Sequence, residues 1–299
     1  MGKTTWVKNT FPNAVYLDLL NSKVFNELFT NPSRIEEKIP KDFTDWVVID
    51  EVQRIPELLN EVHRLIEHNG YKFILTGSSA RKLRKGGVNL LGGRALIYYM
   101  HPLTAMELGE NFNVADCVKY GSLPSIFDRQ DKEAYLASYV ESYLQQEVVQ
   151  EGISRTLSAF ARFLETASFS QGSVLNMSEV ARDASVGRRM TEDYFCALED
   201  LLIGIRLPVF SKRAKRKLVS HNKFYFFDTG VYRAVRPIGP FDESEMVGGI
   251  ALESLFFQNL RAINHYFNLK YKLFYYRTVA GVEVDFIAYG GKGLRAFEI

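Results

Sequence analysis

The segment Trp46-Val47-Val48-Ile49 restricts the fold more than any other in this chain. It is apolar without alternation and rich in β-branched residues. A strand with that pattern is buried on both faces, which is the environment of a parallel sheet covered by helices. It runs directly into Asp50-Glu51. Two carboxylates therefore stand at the C-terminal edge of a buried strand, where open α/β sheets place their ligands. By itself the pair could be an acidic strand end facing solvent. What lies upstream changes that weighing.

The chain opens Met1-Gly2-Lys3-Thr4-Thr5-Trp6. Gly-Lys-Thr is the tail of a phosphate-binding loop, in which backbone N–H groups surround phosphates, the lysine adds charge at the β/γ phosphates and the hydroxyl ligates magnesium. Alone, three residues are also compatible with an unstructured tail. Paired with a buried strand ending in two acids, they point to ATP and Mg2+. Gly2, Lys3, Thr4, Thr5 and Asp50 are then candidates for holding the nucleotide. Thr4 and Asp50 belong to the metal, and Glu51 polarises the attacking water.

Downstream, Leu58, Leu59, Val62, Leu65 and Ile66 fall on one helical face. Tyr71-Lys72-Phe73-Ile74-Leu75 reads as another buried strand, and Thr76-Gly77-Ser78-Ser79 follows it. A hydroxyl there, with Ser78 as the candidate, can sense the γ-phosphate. The basic stretch beyond it leads to Gly92-Gly93-Arg94 and the apolar run Ala95-Leu96-Ile97-Tyr98-Tyr99, expected as the last strand. Arg94 is placed to reach a neighbouring subunit's nucleotide, which would require a homo-oligomer. A solvated basic loop is the alternative.

The order GKTT, VVIDEVQRIPELL, FILTGSS, LLGGRA and then His101-Pro102-Leu103-Thr104-Ala105-Met106-Glu107-Leu108 resembles the AAA-type ATPases joined to the domain of unknown function 4143, widespread in archaea and bacteria. The resemblance runs over nearly the whole chain. It implies ATP binding at Lys3, Thr4 and Asp50, with Glu51 as the hydrolytic carboxylate. Members of that family carry a strand and a G-x-x-x-x-G loop ahead of GKT. A start at an internal methionine would give the sequence as it stands, and such a chain is expected to bind ATP poorly.

Composition narrows the partners. The 299 residues suggest two or three domains, and 46% apolar residues is ordinary for a globular protein. A formal net charge of +2 leaves any nucleic-acid surface to local clustering. Cys117 and Cys196 are too few for a disulfide framework, and a cytoplasmic location is the default. His63, His68, His101, His221 and His265 show no metal-ligand spacing. No apolar run approaches a membrane span, and no signal peptide opens the chain.

Residues 133 to 166 have helical spacing and read as core packing. After Ser170-Gln171-Gly172-Ser173, a short helix capped by Ser178, a turn at Ser185-Val186-Gly187, a second helix from Arg188 and the strand-like 204–210 read as a winged helix-turn-helix. Basic residues at 206, 212, 213, 215, 216, 217 and 223, with no acid among them, run along the expected wing. Lys212, Arg213, Lys215, Arg216 and Lys217 are candidates for DNA phosphate contacts. A solvated loop or a protein-binding surface is the alternative.

In the C-terminal part, Glu253 lies in an apolar helical stretch. Asp285 lies in the alternating Gly281–Ile287, and Glu298 follows a glycine turn. A carboxylate on one strand and E-x-K on the next resembles the PD-(D/E)xK nucleases, in which the acids hold magnesium against the scissile phosphate. Glu253, Asp285 and Glu298 are the candidate metal ligands, and the lysine is expected one residue beyond Ile299. The reading is thus α/β: a P-loop AAA+ core with a parallel sheet lacking its first strand over 1–130, a helical and winged-helix region over 131–222, and a restriction-endonuclease-like domain over 223–299. The function expected is an ATP-driven switch coupled to the C-terminal module. The alternatives are an ATP-regulated nuclease and a non-catalytic DNA- or protein-binding regulator.

Overall fold

The computed structural model describes residues 2–77, 95–144, 157–211, 221–237, 239, 244–278 and 281–299. They fall into two compact units, Met1–Tyr98 and Tyr99–Ile299. Both mix helices and strands. Among the described residues no helix is long and apolar enough to cross a membrane.

The first unit is built on a parallel sheet. Strand β1 (Val15–Asp18) and strand β3 (Lys72–Leu75) flank β2 (Trp46–Asp50), so the order is β1-β2-β3. The central position explains the sequence of β2, because Val47, Val48 and Ile49 are fully buried. Helix α1 (Lys3–Thr10) precedes β1, and α2 (Ser22–Thr30) and α3 (Leu58–Asn69) complete the unit. Leu58, Leu59, Val62 and Leu65 form the buried face of α3 and pack with Leu17, Leu28, Ile35, Val47 and Ile49. Each such side chain contributes roughly 1.5–3 kcal/mol through burial.

One expected element does not form. The run Ala95–Tyr99 is not a strand, and Leu96, Ile97 and Tyr98 are 81%, 77% and 84% exposed. Strand propensity is a preference for a half-buried pleated surface. This run has the composition, but no ladder partner meets it among the described residues.

The second unit has two cores. Helices α4 (Ala105–Leu108), α5 (Val114–Tyr120), α6 (Lys132–Ser138), α7 (Leu157–Ser168), α8 (Met177–Asp183) and α9 (Arg188–Asp200) lead into an antiparallel sheet of order β4-β6-β5. Its strands are β4 (Ser173–Val174), β5 (Gly204–Leu207) and β6 (Lys223–Phe226). The cap of α8 is Asn176, whose carboxamide oxygen accepts from the Glu179 amide at 3.3 Å, rather than Ser178, which lies one residue inside the helix. Helix α9 begins at Arg188 as expected. Helices α10 (Thr229–Val235) and α11 (Ser244–Tyr266) follow. Then comes the antiparallel sheet β7 (Lys272–Arg277), β8 (Glu283–Gly290) and β9 (Gly293–Phe297).

Strand β6 opens the region assigned from sequence to the C-terminal domain, yet it pairs with β4 and β5. Its alternation serves both cores. Phe224 and Phe226 enter the cluster of Phe160, Phe163, Tyr194 and Phe195, whereas Tyr225 packs with Phe257, Tyr275 and Phe286. Lys223 shares the face of Tyr225, and that placement decides its chemistry. At the junction of α5 and α10 the backbones nearly touch: a Cβ on Gly230 would lie 2.1 Å from the Tyr120 carbonyl oxygen. Asp228 seals this contact, accepting from the Ser122 amide at 2.9 Å and the Val231 amide at 3.0 Å.

Candidate functional site

The parallel register sets Asp50 beside Asp18 on one side and continues toward Thr76 on the other. Asp50 is 2% exposed at the end of β2, and three hydroxyls converge on its carboxylate. Thr4, in the first turn of α1, donates to Oδ2 at 2.7 Å. Tyr16 donates to the same oxygen, and Thr76 donates to Oδ1. Burial alone would raise the Asp50 pKa. The bonds from Thr76, Tyr16 and Thr4, with the charge of Lys3, outweigh it and hold the carboxyl below its usual range. Conversely, burial and the bond to Asp50 hold the Tyr16 phenol well above its ordinary value.

Gly2 caps α1 with φ 93, a left-handed backbone suited to glycine, and the Trp6 amide bonds its carbonyl at 2.9 Å. Lys3 is half-buried and Thr5 exposed. Glu51 is a non-glycine residue at φ 60, ψ 42. Such a conformation costs about 1–3 kcal/mol and is concentrated at functional sites. It turns the chain sharply off β2. The Val52 amide then donates to the Thr76 carbonyl at 3.0 Å, and the Gln53 carboxamide donates to the Glu51 carboxylate.

The structure thus brings Thr4 and Asp50 together, with Lys3 acting on Asp50 electrostatically and Glu51 adjacent in sequence. Hard oxygen donors, a hydroxyl and an ionised carboxylate, suit magnesium. Ser78 and Arg94 lie outside the described residues. Sequence reasoning missed Tyr16 and Gln53. Thr76 stood in the strand-end hydroxyl stretch from which Ser78 was chosen, and the parallel register, extended by one residue, pairs it with Asp50.

The C-terminal carboxylates are arranged differently. Glu253 from α11 and Asp285 from β8 do approach one another, but around Lys223. Its ammonium lies 3.4 Å from Glu253, 2.7 Å from Glu283 and 3.7 Å from Asp285. Burial would pull the lysine pKa down. The three carboxylates outweigh it and raise it. Burial pushes the Glu253 carboxyl up, against the bonds from Tyr225 and Lys223. Glu298 lies just past β9 and is exposed, while the Ile299 amide donates to Asp285 at 3.0 Å. Among the described residues no group of three or more acidic, histidine or cysteine side chains is placed to hold a metal ion. Glu253 and Asp285 thus meet at Lys223, and Glu298 is exposed.

Both ends of the basic stretch also turn inward. Lys223 is 3% exposed. Arg206 donates to Glu199 at 2.6 Å and pairs with Glu192. Neither is free for phosphate. Lys212, Arg213, Lys215, Arg216 and Lys217 lie outside the described residues. Cys117 and Cys196 are free thiols.

With this geometry in place, residues 1–109 match the family model of an AAA domain. Residues 248–299 match the domain of unknown function DUF4143. The matches support an AAA-family ATPase joined to DUF4143. Between them, residues 112–242 match a further domain of unknown function, DUF8612. An uncharacterized protein of Haemophilus influenzae is 24% identical over 221 residues, covering 67% of this chain and 54% of that relative. The chain spans about half the length of this curated relative. No solved structure matches. The AAA match supports ATP binding and hydrolysis by the N-terminal part, and the Thr4–Asp50 pair lies within it.

Proposed function

We propose that the protein is an ATP-hydrolysing switch whose nucleotide site is Gly2, Lys3, Thr4, Thr5, Asp50 and Glu51, with magnesium at Thr4 and Asp50. The observation that carries this reading is the 2.7 Å hydrogen bond from the Thr4 hydroxyl to a buried, ionised Asp50 at the C-terminal end of a central parallel strand. Magnesium would supply charge neutralisation of the phosphates. The chain's own residues do the rest. Lys3 and the N-terminal amides of α1 bind phosphate oxygens. Thr76 and Tyr16 hold Asp50 ionised and in one orientation. Gln53 orients the Glu51 carboxylate toward a water. Ser78 senses the γ-phosphate, and Arg94 completes a neighbour's site in a homo-oligomer.

Coupling to the C-terminal module runs through the 99–299 unit. A second reading, nucleic-acid binding, is favoured by the order β4-α8-α9-β5-β6 with its antiparallel sheet, which is the order of a winged helix. In that reading Lys212, Arg213, Lys215, Arg216 and Lys217 contact DNA phosphates. Magnesium-dependent nucleotide binding by the full-length protein tests the first reading. Wild type is expected to bind ATP more tightly with magnesium than with EDTA, and Asp50→Asn to lose that difference. Equal affinity in both conditions for wild type would reject the assignment of Asp50.

A further inference from the structure

We infer that Lys223 is the resident cation of the C-terminal carboxylate cluster, so that Glu253, Glu283 and Asp285 form a lysine-centred ion-pair hub in the position a divalent ion would otherwise take. The strand supplies the lysine. In β6 the even residues Phe224 and Phe226 fill one core, and the odd residues Lys223 and Tyr225 face the other. Both odd residues reach Glu253, Tyr225 through its hydroxyl and Lys223 through its ammonium. Three carboxylates from two other elements, α11 and β8, converge on the single side-chain nitrogen of Lys223, a residue 3% exposed.

Each carboxylate also accepts from or pairs with one further group. Tyr225 donates to Glu253, Arg277 lies 3.6 Å from Glu283, and the Ile299 amide donates to Asp285 at 3.0 Å. Magnesium sits about 2.0–2.1 Å from its oxygens. An ion at that distance from Glu253 and Asp285 would stand against the ammonium, and the two cations would repel in a medium that screens them weakly. Occupancy by one excludes the other. The hub also explains a lysine in the apolar sequence Lys223-Phe224-Tyr225-Phe226: an unpaired ammonium there would be strongly destabilising, whereas a triply paired one ties β6 to α11 and β8.

The test follows thermal unfolding of the nucleotide-free chain in EDTA and in manganese, for wild type, Lys223→Met, Lys223→Arg and each combined with Asp285→Asn. Wild type and Lys223→Arg are expected to unfold at the same temperature with and without manganese. Lys223→Met should unfold at least about 6 °C lower, because it leaves three clustered, half-buried acids without their counter-ion. It should recover about 5 °C or more at manganese a hundredfold above its Kd, and lose that recovery when Asp285→Asn is added. A response that Asp285→Asn leaves intact counts as no response of the cluster. An Asp285-dependent manganese shift in wild type or Lys223→Arg would overturn the inference. So would a folded Lys223→Met that gains none. If Lys223→Met does not fold, wild type and Lys223→Arg decide by the same criterion.

Discussion

Asp228 offers a perturbation whose sign can be worked from the structure. Its carboxylate is 1% exposed between the Gly121-Ser122 turn and the start of α10. Burial pushes its pKa up from 3.8 to about 6, against the amide bonds from Ser122, Val231 and Gly230. A carboxyl with a raised folded-state pKa binds its proton more tightly in the native state. Its stabilisation is therefore complete below about pH 4 and is lost as pH rises through about 6. Each pKa unit is about 1.4 kcal/mol, so the swing is on the order of 3 kcal/mol. Asp228→Asn keeps an oxygen for the amides and removes the charge. Urea unfolding of both proteins at pH 4 and pH 7 isolates the effect, because every other group titrates in both. Wild type is expected to lose about 2 kcal/mol relative to the variant between the two pH values, the rest of the swing lying below pH 4. Parallel profiles would refute the argument. A wild type that gained on the variant as pH rose would mean that the amide bonds, not burial, dominate.

Two further predictions concern the basic stretch. Alanine at Lys212, Arg213, Lys215, Arg216 and Lys217 together should weaken duplex DNA binding irrespective of sequence and flatten the slope of log K on log salt by about 0.9 per lost contact. An unchanged slope would assign the run to a solvated loop or a protein contact. Arg206→Gln should leave that slope unchanged and lower the unfolding midpoint, because Arg206 is spent on Glu192 and Glu199. A reduced slope would show that Arg206 leaves those partners for phosphate.

The parts of the fold legible in the sequence were those fixed by local periodicity. β2 could be read because its four apolar residues demanded burial on both faces. α3 could be read because five apolar residues shared one face. The boundary of α9 followed from the Ser185–Gly187 turn. Propensity misled where a partner was needed: Ala95–Tyr99 has the residues of a strand and no ladder among the described residues. In the proposed nucleotide site, Thr4 and Asp50 were named from motif chemistry. Tyr16 and Gln53 were not, since their roles depend on which strands are neighbours. Lys223 shows the same limit most clearly. Counted along the chain it is one more base in a basic run. Placed on the alternating face of β6 it is the counter-ion of three acids from residues 30 to 62 positions away. Linear charge counting cannot register that, because strand pairing sets the direction of each side chain.

The central claim is that the strand-end pair Asp50-Glu51 divides metal holding from water activation. It is tested most directly by measuring ATP binding and ATP turnover with magnesium in the full-length protein, wild type against Glu51→Gln. The account predicts that the variant binds ATP with affinity close to wild type, since Lys3, Thr4 and Asp50 are untouched, and that turnover is lost, leaving nucleotide trapped on the protein. Turnover by Glu51→Gln equal to that of wild type would contradict it.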